Sequence, residues 1–106
     1  MEQTSRIAVV TGSGRGIGRA IALKLAEKGH DIVINYSRSA GPAEEVCHLV
    51  EGYGRRALSV KADVSDVSSV TNMFKIISEE MGNVDILVNN AGITRDYLLI
   101  RMKDEQ

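Results

Sequence analysis

A glycine-rich turn near the start of the chain restricts the possible folds more than any other feature. Thr11-Gly12-Ser13-Gly14-Arg15-Gly16-Ile17-Gly18 stands between the apolar run Ile7–Val10 and a segment whose apolar residues recur at helical spacing. Such a run is typical of a strand buried on both faces of a parallel sheet. Backbone N–H groups and the dipole at the start of a helix favour a bound pyrophosphate. The turn therefore predicts a strand, loop and helix that bind a phosphorylated ligand.

The rest of the chain repeats the order of strand and helix. We expect strands over residues 7–10, 32–34, 57–60 and 84–88, with helices from residues 17, 42 and 66 that end at Gly29, near Tyr53 and at Gly82. Ser65 or Asp66 can cap the third helix. This alternation predicts an α/β fold, the first half of a Rossmann-like doubly wound parallel sheet with about four parallel strands and helices on both faces.

Each helical segment has an apolar side that should face the sheet. The residues concerned are Ile17, Ala20, Ile21, Leu25 and Ala26 in the first, Val46, Leu49, Val50 and Tyr53 in the second, and Val67, Val70, Phe74, Ile77 and Met81 in the third.

Composition limits the partners of the chain. Its 106 residues, 43% hydrophobic and 25% charged, suit one soluble domain. Thirteen basic and fourteen acidic residues give a net charge of −1, which favours neither nucleic acid nor a membrane surface. The lone Cys47 has no disulfide partner, which fits a reducing compartment, and we expect a cytoplasmic protein. His30 and His48 are not at metal-ligand spacing, so no metal site is expected.

The spacing of the glycines excludes two common nucleotide loops. A Walker A loop needs Gly-Lys followed by Ser or Thr, and the first lysine of the chain is Lys24. The G-x-G-x-x-G fingerprint would require glycine where Ile17 stands. The remaining pattern, T-G-x-x-x-G-x-G, resembles the cofactor loop of the short-chain dehydrogenase/reductase family.

Two later motifs strengthen this resemblance. Asp63-Val64 follows the third strand and is similar to the family's Asp-Val pair, which implies that the Asp63 carboxylate accepts a hydrogen bond from the adenine amino group. Taken alone, Asp63 could equally be an ordinary aspartate at a helix entry. Asn89-Asn90-Ala91-Gly92 matches the family's N-N-A-G, which implies that Asn90 lies beside the cofactor and stabilises the central sheet.

The segment from Asn89 to Glu105 resembles the 3-oxoacyl-(acyl carrier protein) reductases of bacteria and plastids. This resemblance implies NADPH-dependent reduction of 3-oxoacyl thioesters in fatty-acid synthesis, on an acyl carrier protein-linked or other carbonyl substrate. It also implies homo-oligomeric full-length relatives. From periodicity alone, residues 97–103 are an amphipathic helix with Leu98, Leu99 and Met102 on its apolar side.

The residues after the second strand indicate which nicotinamide cofactor is used. An NAD site places an acidic residue there to bind the ribose 2′-hydroxyl, whereas this chain has Tyr36 and Ser37. Asp31 lies at the opposite end of the strand. Arg15 and Arg38 can bind a 2′-phosphate, although either could also be a solvated surface charge. We therefore predict NADP(H).

The predicted cofactor site consists of the loop, the strand ends and the two arginines. Its residues are Gly12, Ser13, Gly14, Arg15, Gly16, Ile17, Gly18, Ser37, Arg38, Asp63, Val64, Asn90, Ala91 and Gly92.

No catalytic residue is assigned, because the family's Y-x-x-x-K motif is missing. The residues four positions after Tyr36, Tyr53 and Tyr97 are Ala40, Ala57 and Arg101. We expect residues 1–106 to be one NADP(H)-binding domain truncated before the catalytic part. The alternative is a non-catalytic NADP(H)-binding module or an inactive fragment. The apolar fourth strand, with its edge and one face uncovered, predicts self-association.

Overall fold

The chain folds around one five-stranded sheet. The computed structural model describes residues 6–90 and the backbone of residues 98–101. The elements in chain order are β1 (Ile7–Val10), α1 (Gly16–Glu27), β2 (Asp31–Tyr36), α2 (Ala40–Gly52), β3 (Ala57–Lys61), α3 (Val67–Glu80), β4 (Ile86–Asn89) and β5 (Leu98–Arg101). The strand order is β3-β2-β1-β4-β5; the first four strands are parallel and β5 is antiparallel to β4.

The helices cover both faces of the sheet, as the sequence predicts. Ala8 and Val10 of β1 pack with buried residues of α1 and α2, whereas Val9 packs with Met73 and Ile77 of α3. All four residues of β1 are buried, because β2 and β4 pair on its two sides and helices cover it above and below. The predicted doubly wound α/β fold is therefore confirmed.

The ends of the helices follow the local sequence. Gly29, with φ of 100°, ends α1 as its N–H donates to the carbonyl of Ala26 at 3.0 Å. Gly82, with φ of 120°, stands at the corresponding place after α3. Both glycines adopt the left-handed conformation that a helix end often requires. Within the described residues, no helix is long and apolar enough to cross a membrane.

The buried helix faces differ in part from the predicted ones. Ile17, Leu49, Tyr53 and Val67 were expected to face the sheet, yet they are 57%, 40%, 51% and 81% exposed. Ile17 and Val67 lie in the first turns of their helices, and Tyr53 follows the last residue of α2. Ala20, which was also expected to face the sheet, is exposed too. The buried helix residues comprise four that were predicted, Ala26, Val46, Val50 and Ile77, and four that were not, Gly18, Ala22, Ala43 and Met73.

The helix expected over residues 97–103 is wrong for its central part, because Leu98–Arg101 forms β5. The other residues of that segment lie outside the described ones. Three consecutive apolar residues fit a buried strand as well as one side of a helix. The free edge of β4 favours the strand, since pairing Val88 with Leu99 and Leu87 with Ile100 satisfies backbone groups there. The edge of β4 is therefore covered, contrary to the prediction.

Candidate functional site

A cleft opens where β1 and β2 end and the glycine loop begins, and we call it the loop cleft. It has a volume of about 390 Å³ and is lined by Gly12, Gly14, Arg15, Asn35, Tyr36, Ser37, Arg38, Ser39 and Pro42. The strand order reverses at β1, which has β2 on one side and β4 on the other. Ligands of open parallel sheets bind outside the carboxyl ends of the strands at such a reversal. The fold thus provides a binding crevice where the sequence predicts one.

The glycine loop depends on two left-handed backbone positions. Gly12 and Gly16 have φ of 62° and 63°, which a side chain would strain. Arg15 precedes α1 with an extended backbone, and its side chain makes no capping hydrogen bond. The first turn of α1 also contains no acidic residue. Its N–H groups are therefore suited to an anionic ligand rather than to a side chain of α1.

The N–H groups of Gly12 and Ser13 are already used within the protein. The N–H of Gly12 donates to Oδ1 of Asn35, and the N–H of Ser13 donates to the Asn35 carbonyl, each at 3.1 Å. The Ser13 hydroxyl is fully buried; it donates to the Val10 carbonyl at 2.6 Å and accepts from the Asn35 N–H at 3.2 Å. Ser13 was assigned to the cofactor site from the sequence, but here it fastens the loop to the strands. The N–H and the hydroxyl of Ser13 are thus both engaged within the protein.

Gly18 allows α1 to approach the loop and the end of β4. A Cβ atom on Gly18 would overlap the carbonyl oxygen of Gly12 and lie 2.7 Å from Nδ2 of Asn90. That Nδ2 donates to the Gly12 carbonyl at 3.4 Å. The third glycine of a dinucleotide loop commonly serves this close packing. Here the Gly12 carbonyl and the Asn90 side chain occupy the space that a Cβ atom on Gly18 would need.

The turn after β4 is fastened to the end of β1 through Thr11. The Thr11 hydroxyl accepts from the N–H of Asn90 at 2.7 Å and donates towards Oδ1 of Asn89 at 3.3 Å. The N–H of Thr11 donates to the Val88 carbonyl at 3.0 Å. Asn90 is therefore held against the glycine loop. Ala91 and Gly92, which were also assigned to the site, lie outside the described residues.

Asp63 and Val64 follow β3 and do not line the loop cleft. The exposed Asp63 carboxylate accepts, through Oδ1, the hydroxyl and the N–H of Ser65 at 2.6 and 3.0 Å. The Ser65 hydroxyl, and then its N–H, hold the pKa of Asp63 below its ordinary value. An ionised carboxylate accepts hydrogen bonds and can therefore bind an amino group. Val64 lines a separate pocket of about 130 Å³ together with Thr11, Val70, Met73, Phe74, Leu87 and Asn89.

The charge in the loop cleft is positive. Arg15 and Arg38 are both exposed and both line the cleft, and in the described part of the chain no carboxylate is in ion-pair distance of either. Asp31 begins β2, at the far end from Tyr36, where Arg55 and Arg56 bind its carboxylate at 2.9 and 3.2 Å. A phosphate in the cleft would meet guanidinium groups without a competing acid.

Asn35 lines the loop cleft, although the sequence did not indicate it as a site residue. The sequence predicts that the second strand ends at Ile34 and that a polar loop begins at Asn35. In the structure β2 continues to Tyr36, and Asn35 is 1% exposed inside it. The indication in the sequence was a short polar residue directly after a β-branched run. If the strand continues, the amide of that residue is buried and must find several hydrogen-bond partners. Its partners are the glycine loop and β3.

The residues of the cleft fit a phosphorylated nucleotide. A helix start without a cap, glycines that leave the main chain open and two guanidinium groups all favour a large anion. Among the described residues, no three His, Cys, Asp or Glu side chains stand close enough to hold a metal ion.

Comparison with known proteins identifies the family. Residues 6–106 match the family model described as short chain dehydrogenase. The chain belongs to this family. Its members are oxidoreductases that bind a nicotinamide cofactor.

Several relatives carry a more specific name. Over 102 residues the chain is 45% identical to the 3-oxoacyl-[acyl-carrier-protein] reductase FabG of Staphylococcus aureus. The aligned residues cover 96% of this chain and 42% of that protein. It is 44% identical to the 3-oxoacyl-[acyl-carrier-protein] reductase of Synechocystis sp., covering 96% of this chain and 41% of that protein. The chain thus spans about two fifths of the length of these curated relatives.

Solved structures show the same fold. An acetoin dehydrogenase from Enterobacter cloacae superposes with a TM-score of 0.79 at 36% identity, over 87% of this chain and 36% of that one. The acetoin dehydrogenase YohF from Salmonella typhimurium gives a TM-score of 0.77 at 36% identity, over 84% of this chain and 37% of that one.

Proposed function

We propose that the chain is the NADP(H)-binding part of an NADPH-dependent reductase of 3-oxoacyl thioesters linked to acyl carrier protein. The observation that carries the choice of NADP(H) is the pair Arg15 and Arg38, which line the same cleft as the glycine loop without a nearby acid. The substrate class comes from the names of the similar reductases. We further propose that the protein acts in the cytoplasm, which suits both fatty-acid synthesis and a single cysteine without a disulfide partner.

The residues of this chain would bind and orient the cofactor. The first turn of α1 would bind the diphosphate, and Ser37, Arg15 and Arg38 would bind the 2′-phosphate. Asp63 would accept the adenine amino group, while the exposed Ile17 and the turn at Asn90 would border the nicotinamide end. NADPH, when bound, supplies the hydride for reduction of the substrate carbonyl.

A titration of the purified chain with NADPH and NADH tests the choice of cofactor. Charge-assisted hydrogen bonds to the 2′-phosphate contribute about 1.5–3 kcal/mol each, so NADPH should bind roughly tenfold more tightly or better. The proposal fails if NADH binds as tightly as NADPH or more tightly.

The alternative is an NADP(H)-binding module that does not catalyse reduction. None of the three tyrosines among its 106 residues is followed at the fourth position by lysine, so these residues do not themselves supply the family's tyrosine–lysine pair. Oxidation of NADPH by the purified chain in the presence of a 3-oxoacyl thioester would eliminate this alternative. We also propose that the chain associates with itself through apolar side chains that remain exposed, among them Val67.

A further inference from the structure

We propose that Asn35 is a positioning residue, which holds the glycine loop and the end of β3 in register so that one cofactor reaches both. This inference rests on the proposed binding of NADP(H) and assigns a role to a side chain inside the sheet. The cofactor would contact the loop through its diphosphate and the residue after Ala62, Asp63, through its adenine.

The Asn35 amide joins two groups of the backbone that are distant in sequence. Its Oδ1 accepts the N–H of Gly12 at 3.1 Å. Its Nδ2 donates to the carbonyls of Ala62 and Val60 at 3.2 and 3.4 Å. The partner on one side is a donor and those on the other side are acceptors, so only one orientation of the amide satisfies them.

The backbone of Asn35 fastens the same loop a second time. Its carbonyl accepts the N–H of Ser13 at 3.1 Å, and its N–H donates to the Ser13 hydroxyl at 3.2 Å. The side chain, 1% exposed, also contacts Sδ of Met73 at 3.7 Å. A buried amide with this many partners is fixed, because leaving any of them unpaired costs free energy.

The loop continues this connection to β4. The Gly12 carbonyl accepts from Nδ2 of Asn90 at 3.4 Å, so Gly12 binds one asparagine through its N–H and another through its carbonyl. Leucine has the branched shape of asparagine but is larger and has no polar atoms. Asn35→Leu would remove the side-chain bonds to Gly12 and to the end of β3 and leave the backbone bonds to Ser13 in place. The expected result is a loop that still folds but no longer stands at a fixed distance from Asp63.

Calorimetric titration of the wild-type chain and Asn35→Leu with two ligands tests this role. NADPH needs both the main chain of the loop and the end of β3, whereas adenosine 2′-monophosphate lacks the diphosphate and would meet the loop only through the long Arg15 side chain. For Asn35→Leu, we expect NADPH to bind roughly tenfold more weakly and adenosine 2′-monophosphate to lose less than about threefold. Equal losses of affinity for the two ligands, or no loss of affinity for NADPH, would overturn the proposed role of Asn35.

Val50→Ala is the matched control. Val50 is fully buried near the end of α2 and is not among the residues that line the loop cleft. Its truncation should destabilise the fold without changing either affinity at a temperature well below unfolding. If Val50→Ala weakened the binding of NADPH as much as Asn35→Leu does, loss of stability alone would explain the effect, and the proposed role would be wrong.

Hydrogen exchange keeps the inference testable if Asn35→Leu does not fold. In the wild-type chain without cofactor, the Gly12 N–H and the Asn35 side-chain amide should exchange at least tenfold more slowly than in an unfolded chain. Exchange at the unfolded rate would overturn the bridge. A wild-type chain that binds no NADPH would refute the proposed function instead, while the exchange result would still decide whether the bridge exists.

Discussion

Gly18 and Asn35 shape the loop in opposite ways. Gly18 leaves a space that the Gly12 carbonyl and the Asn90 amide occupy, and Asn35 fills a space between the loop and β3 with an amide whose bonds are satisfied. The importance of Gly18 is readable from the glycine pattern, because the pattern itself specifies close packing. The role of Asn35 is not, since it depends on which strands become neighbours.

Gly18→Ala should destabilise the chain. The new Cβ would overlap the backbone of Gly12, which cannot move aside as a flexible side chain can. We expect the free energy of unfolding to fall by about 2–3 kcal/mol in urea denaturation. Gly41→Ala is the control, because Gly41 lies in α2 with nothing within 4 Å, and alanine there should be neutral or stabilising. An unchanged stability of Gly18→Ala would contradict the close approach.

Asp31 should make the free energy of unfolding depend on pH in the acidic range. Burial of its carboxyl raises the pKa, but hydrogen bonds from Arg56 and the charge of Arg55 outweigh this and hold the pKa below its ordinary value of 3.8. Because the folded pKa is the lower one, the stabilisation is complete above about pH 4 and is lost as the pH falls through the folded pKa.

Asp31→Asn tests this dependence. We expect it to lower the free energy of unfolding by about 2 kcal/mol at pH 7, and the difference from wild type should narrow as the pH falls below 4. Glu27→Gln, which removes an exposed carboxylate beside Lys24, should change the stability by less than about 0.5 kcal/mol. A difference that stays constant down to pH 2 would be contrary to the expected titration.

The elements of the chain were largely predictable because their boundaries have local causes. Gly29 and Gly82 end helices where their sequence positions indicate, and Asp66 proves to be the cap of α3 that Ser65 or Asp66 was expected to provide. Leu98–Arg101 was mistaken for part of a helix, because its pairing partner, β4, is set by the tertiary fold. Local periodicity contains no information about that partner.

Asp66 caps the start of α3. The Asp66 carboxylate accepts the N–H of Ser68 at 3.3 Å at the start of the helix. We expect Asp66→Ala to reduce the free energy of unfolding by about 1 kcal/mol in urea denaturation. Ser78→Ala, at an exposed position within α3, should leave it unchanged or slightly higher. Equal effects of the two substitutions would show that Asp66 is no cap.

At the scale of the whole molecule, the site is made by the order of the strands. The glycine loop, the β2 end with Ser37 and Arg38, and the turn at Asn90 meet because β1 lies between β2 and β4. The doubly wound order is predictable from the alternation of strands and helices. The separation of Asp63 and Val64 from the loop cleft is not, since it depends on the path of the chain after β3.

Self-association is the second consequence at this scale. β5 covers the edge of β4, and exposed apolar side chains, among them Val67 at 81%, remain available for association. We expect light scattering after size exclusion to give a mass above that of the 11.5 kDa monomer, decreasing on dilution. A constant monomer mass at every concentration would contradict this expectation.

The ratio of the dissociation constants for NADH and NADPH, measured on wild type, Arg38→Ala and Arg56→Ala at one salt concentration, tests the central claim most directly. We predict a ratio of roughly ten or more for the wild type and for Arg56→Ala, whose guanidinium binds Asp31 at the opposite end of β2. For Arg38→Ala the ratio should fall towards one, because a 2′-phosphate contact is lost. A wild-type ratio of one or less, or a ratio unaffected by Arg38→Ala, would contradict the assignment of the loop cleft to NADP(H).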